Sequence, residues 1–163
     1  MPEKKTRAAA AKDKKQGKSA STQAGEYVHE EIEHVREGKH GARSTKQAIA
    51  IGLSKARRDG VDVKPGKSAS KSTRKKAAQD KEASHGHHKA SSTRSKATSK
   101  ALKKEGHSAA STSALSRHAE RSASKRTAAS RSAAAKKAAK TKGAEGRSAA
   151  AKKAAKTRAR NKS

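Results

Sequence analysis

The stretch from Glu26 to Asp59, EYVHEEIEHVREGKHGARSTKQAIAIGLSKARRD, decides the fold. Val28, Ile32 and Val35 recur at i, i+4 and i+7, one apolar stripe of a helix, and Gly38 follows where a C-cap belongs. The spacing predicts a helix over about 26–37. Ser44 then precedes Gln47 by three residues, a capping-box pattern, and Ile49, Leu53 and Ala56 form a second stripe that ends near Arg58, before Gly60. A second helix is expected over about 45–59. The connection Gly38 to Arg43 is long enough for the two stripes to fold together as an αα-hairpin, with Val61 and Val63 closing its open end. A unit of about 40 residues lies at the lower limit of independent stability, so it is expected to be marginal alone or helped by self-association as a homodimer through the hairpin.

Outward from this stretch the composition changes. The 163 residues include 43 Lys or Arg and 14 Asp or Glu, a net charge of +29. Of the apolar residues, 36 are Ala and only 12 are larger; nine of those 12 lie between Tyr27 and Val63. Each large side chain contributes roughly 1.5 to 3 kcal/mol when buried, whereas ordering one residue costs roughly 1 to 2 kcal/mol. On that reasoning 12 side chains cannot order the whole chain, and low hydrophobicity with high net charge is the composition of disorder. The expected fold is mostly disordered, with a small all-α helical hairpin. Its parts are a basic disordered arm over 1–20 with net charge +5 and a charge-balanced hairpin module over 21–63. A Ser/Thr/Lys-rich disordered tail over 64–130 and a repeated Ala/Lys basic segment over 131–163 follow, together carrying +24.

The last segment contains RSAAAKKAAKT twice, at Arg131 to Thr141 and at Arg147 to Thr157. Alanine and lysine favour helix, but Lys136 and Lys140, like Lys152 and Lys156, repel each other at i and i+4. These Ala/Lys-rich C-terminal segments are therefore expected to be transiently helical, becoming firm when a polyanion removes the repulsion. Residues 64–130 are expected to stay irregular because Ser and Thr hydroxyls compete for backbone hydrogen bonds.

Several motifs point to chemistry and fail on spacing. His29 and His34 flank three glutamates, but at i and i+5 they stand about 140° apart on a helix and cannot share one zinc ion. The histidine run at His85, His87 and His88 has no fixed geometry or carboxylate support. Gly60 to Ser68 ends like a phosphate-binding loop, yet Val61 stands where its first glycine belongs. Serines are abundant, but no G-x-S-x-G elbow holds one against a base. The expectation is no enzyme, no metal and no cofactor. Cysteine is absent, which excludes disulfides and thiolate metal sites. No apolar run reaches the roughly 20 residues of a membrane span, and the N-terminus has no apolar signal region, so a cytoplasmic protein without membrane contact is expected.

The charge is the remaining signal. A lysine or arginine that neutralises a phosphate releases a condensed counterion, and that release drives binding. Tyr27 is the only aromatic residue, so base-stacking recognition of single strands has no platform. The second helix offers a groove only Lys46, Gln47, Lys55, Arg57 and Arg58, which favours backbone binding over base reading. The residues expected to meet phosphates are Lys136, Lys137, Lys140, Lys152, Lys153, Lys156, Arg158 and Arg160.

Two resemblances join this reading. Val28 to Lys39, and Arg43 to Arg58 with its run K-Q-A-I-A-I-G-L-S, resemble a family of small bacterial proteins containing a domain of unknown function. The resemblance implies a bacterial source and no catalytic residues. The arms and the two RSAAAKKAAKT copies look like the Lys/Ala-rich tails of linker histones and of bacterial histone-like proteins, although prolines are scarcer here and the module is too short for a winged helix. That likeness implies nonspecific coating of duplex DNA and compaction of a nucleoid, with structured RNA as a second target. The alternatives are a hydrophilic stress-protection protein and an adaptor whose hairpin binds a protein partner.

Overall fold

The structure is a computed structural model that describes residues 2–66, 68–86 and 91–160. His87 and His88 of the histidine run, and the last three residues of the 131–163 segment, lie outside the described residues. The chain forms two compact units, Met1–His118 and Ala119–Ser163. In the first, α1 (Lys4–Lys15), α2 (Ala20–Arg36), α3 (Thr45–Arg58), α4 (Lys71–Glu82) and α5 (Ser92–Lys103) precede a 3-10 turn at Ser108–Ala110. Helix α6 (Thr112–Ser124) and α7 (Ala128–Arg160) complete the chain.

The expected disorder is thereby overturned: helices run through the basic arm, through the Ser/Thr-rich tail and through the Ala/Lys repeats. One cause is that the hydroxyls do not compete with the helices but start them. Ser19, Ser44, Ser70 and Ser91 each accept a hydrogen bond from the backbone N–H three residues on, at the N-caps of α2 to α5. Ser111 and Thr127 do the same before α6 and α7, accepting from Ala114 and Ser130. Such a cap is worth about 1 kcal/mol, enough to set where a marginal helix begins. It also explains why α2 starts at Ala20 and not near residue 26.

The other cause is a core built from alanine. Helices α2 and α3 pack as an antiparallel pair, and the buried stripe of α2 is Ala24, Tyr27, Glu31 and Val35. It meets Ala48, Gly52 and Ala56 of α3, whereas Ile49 and Leu53, expected to face inward, are only half-buried. Small residues let the backbones approach closely: a Cβ on Gly52 would stand 2.7 Å from Val28 Cα and 2.9 Å from the Tyr27 carbonyl oxygen. Ala10 of α1 and Val61 join Ala24, Tyr27 and Ala56 in one cluster; Val35, Ala42, Ala48, Ala109 and Ala110 form another. The hairpin is thus supported by segments on both sides of it in sequence, through dense dispersion contact between small groups.

Polar anchors fasten these segments. Arg7 of α1 pairs with Asp59 at 2.7 Å, and Asp59 also accepts the buried Tyr27 hydroxyl, whose pKa burial and this hydrogen bond push up. The 3-10 turn is held where Thr45 Oγ1 donates to Ala109 O at 2.7 Å and Arg36 Nε donates to Ala110 O at 2.9 Å. Before it, Gly41 N and Ala42 N donate to Leu102 O and Gly106 O at 2.9 and 3.0 Å.

Helix α4 docks through Asp80, only 2% exposed, which accepts from Ser54 Oγ at 2.6 Å and Arg58 Nε at 2.9 Å and lies 3.2 Å from Lys76 Nζ. Burial raises the pKa of this carboxyl, but Ser54, Arg58 and Lys76 together more than reverse it and leave it below the ordinary aspartate value. A lowered folded pKa stabilises the fold fully above the unfolded value and loses that contribution as pH falls through the folded one. Asp80→Asn is expected to lose about 2 kcal/mol at neutral pH and to flatten the acid limb of the stability curve, as measured by urea melts across pH. An acid limb as steep as that of the parent would show that another carboxylate carries it.

In the second unit, α7 spans both copies of the repeat. Its regular run breaks at Gly143, where φ 66° and ψ 176° suit a residue without a side chain. Arg147 reaches back to donate to Ala139 O at 2.7 Å across the break. The expected transient helix is a helix on both sides of this point, because Ala supplies strong intrinsic propensity that one i, i+4 lysine repulsion per copy does not offset. No helix among the described residues is long and apolar enough to cross a membrane.

Candidate nucleic-acid interface

All eight expected phosphate contacts lie on α7, and all eight are exposed. By the 1.5 Å rise, the pieces before and after Gly143 are about 22 and 25 Å long. By the 3.6-residue turn, Lys136, Lys137 and Lys140 share an arc of about 100° on the first piece. Lys152, Lys153, Lys156 and Arg160 share a similar arc on the second, and Arg158 projects from the far side with Arg147. Each copy of the repeat therefore presents a basic ridge beside a surface of alanine and serine.

The charge balance separates this unit from the rest of the chain. Residues 119–163 carry 15 basic and two acidic residues. Two carboxylates can neutralise only two of those charges, so a net +13 is left for solvent ions or a polyanion. Residues 1–118 also carry a surplus, but there acidic groups and cations are spent on holding helices together, as at Arg7–Asp59, Lys18–Asp13, Lys55–Glu31 and Arg58–Asp80.

The same spending removes most of what α3 had to offer a groove. Lys55 is held by Glu31 and Arg58 by Asp80; Arg57 is buried and donates to Val63 O, and Gln47 accepts from Arg43 N. Tyr27, at 2% exposure, offers no face for a base to stack on. These commitments depend on which helices meet, so the sequence alone could not show them. The eight expected cations of α7 stand exposed along the helix, with Glu120 and Glu145 the acidic residues of their unit.

Residues 12–68 match the model of a family of unknown function, DUF6496. The match takes in the α2–α3 hairpin and ends before α4, leaving α7 outside. No curated protein and no solved structure matches this chain.

Proposed function

We propose that this protein binds duplex nucleic acid without sequence preference, α7 neutralising phosphates while the helical unit before it serves as the folded body. The observation that carries the reading is the pair of basic ridges on α7, whose charge the unit's own acids cannot balance. Phosphate contacts fix position on a duplex and carry no sequence information, which suits a surface of lysine, arginine, alanine and serine. A helix about 10 to 12 Å across, with small side chains between its cations, also fits a major groove about 12 Å wide. On this reading the protein is a histone-like component of a bacterial nucleoid, and DNA is the principal polyanion with structured RNA second.

The test replaces the eight cations together by glutamine in the full-length chain. Binding to duplex DNA, hairpin RNA and an uncharged client protein is then compared in one low-salt buffer. The parent is expected to bind both nucleic acids and the variant to bind them about 100-fold or more weaker, with circular dichroism checking that helix content is kept. Equal affinity of parent and variant for DNA would remove α7 from the interface. Protection of the client protein without nucleic-acid binding would move the function to stress protection.

A further inference from the structure

A second constellation sits at the end of the α2–α3 hairpin, away from the basic repeats in sequence. Glu31 is fully buried on α2, His34 stands one turn later on the same side, and His40 enters from the connection that follows. One ligand atom from each lies within 4.8 Å of the others. Lys55 Nζ holds Glu31 Oε2 at 2.6 Å, while Glu31 Oε1 receives no hydrogen bond. His40 Nδ1 donates to Gly41 O at 3.1 Å, so the neutral ring keeps its lone pair on Nε2, which is 3.2 Å from Glu31 Oε1. A lone pair against a carboxylate oxygen is repulsive until a proton or a metal ion comes between them. His34 Nε2 is 3.1 Å from Glu3 Oε1 and 3.8 Å from Glu30 Oε1, a second buried oxygen without a hydrogen bond. Lys55 Nζ lies 3.8 Å from Glu30 Oε1 without donating to it, and because buried polar atoms are almost always paired, two carboxylate oxygens without a hydrogen bond beside two imidazoles mark a shortfall of directed partners.

We propose that Glu31, His34 and His40 bind one divalent transition-metal ion of the zinc class, with Glu30 as the adjacent carboxylate. Two imidazole nitrogens and a carboxylate oxygen suit zinc and its neighbours, whereas magnesium and calcium take oxygen sets. The Glu31–His34 spacing of three places both on one helical face, which the five-residue spacing of His29 and His34 does not. The Gly41 carbonyl orients His40 through its other nitrogen, the usual outer support of a metal-binding histidine. His34 and Glu30 also line an open cleft of about 270 Å³ between α1 and α2, which gives this side of the cluster access to solvent. Once bound, it joins the connecting loop to α2 and reinforces the turn of the hairpin.

The experiment titrates metal-free, full-length protein with Zn²⁺ against a chromophoric chelator, and with Co²⁺ followed by its visible absorption. One ion per chain is expected, with the d–d bands of a four- or five-coordinate site and a rise in melting temperature on Zn²⁺ addition. His34→Ala and His40→Ala should each lose tenfold or more in Zn²⁺ affinity together with the Co²⁺ bands. His29→Ala, and a triple variant with His85, His87 and His88 changed to alanine, should keep both. His34→Gln provides a second reading if either alanine variant loses helix content without metal, since its Zn²⁺-dependent melting shift is compared with its own metal-free baseline. Binding that follows the histidine run, affinity unchanged in the His34 and His40 variants, or no binding at all overturns the assignment.

Discussion

Gly52→Ala is expected to destabilise the first unit by about 3 kcal/mol, the upper end for overpacking a close contact. The added methyl would stand 2.7 Å from Val28 Cα, 2.9 Å from Tyr27 O and 3.0 Å from Val28 N. All three are backbone atoms, so no rotamer change relieves the clash and α2 must move away from α3. That movement opens the contacts of Tyr27 and Ala56 in one core and of Ala48 in the other. For a small unit stabilised by several kcal/mol in all, such a loss leaves much of the population unfolded. Gly25, also helical, has open space where a methyl would stand, with nothing within 4 Å of it. Gly25→Ala is therefore expected to stabilise by about 0.5 to 1 kcal/mol through helix propensity alone. Urea denaturation followed by circular dichroism compares the two. Equal midpoints would mean that the helices do not approach closely at Gly52.

The other large effect is ionic. Eight phosphates neutralised by α7 give a slope of about −7 for log affinity against log salt, so raising salt from about 50 to 200 mM weakens DNA binding by roughly 10⁴-fold. The eight-glutamine variant should lose nearly all of that slope, because what it lacks is counterion release and not shape. Fluorescence anisotropy on a short duplex over a salt series measures both lines. A shallow slope in the parent, or parallel slopes in parent and variant, would place the binding energy elsewhere.

The two helices of the hairpin and their caps are legible in the sequence because they are local, but of the stripe Val28, Ile32 and Val35 only Val35 is fully buried. Ser44 caps α3 as its position before Gln47 implies, and α3 ends at Arg58. The role of small residues is not legible in the same way. Counting only large apolar side chains puts Ile49 and Leu53 inside, whereas Ala48, Gly52 and Ala56 form the contact face. Alanine carries little transfer energy alone, so its value emerges only once the partner helix is known. Composition points to disorder at α1 and α4 for the same reason, since Ala10 and Asp80 find their partners more than ten residues away. The cations of α7 are legible from composition, but the ridges they form need the helix. The cluster at Glu31 is hidden while the two helical histidines are weighed without the loop histidine. A glutamate and a histidine three apart, with a further histidine just past the C-cap glycine, is the signal that the sequence does contain.

If α7 holds a polyanion as proposed, the interruption at Gly143 divides one long rod into two tethered grips, each carrying one copy of the repeat. When one grip is seated on a polyanion, the other is confined nearby at an effective concentration in the millimolar range, set by a tether of very few residues. Release then requires both to let go together. Residence time on the strand would then grow through avidity, without either copy having to hold tightly alone.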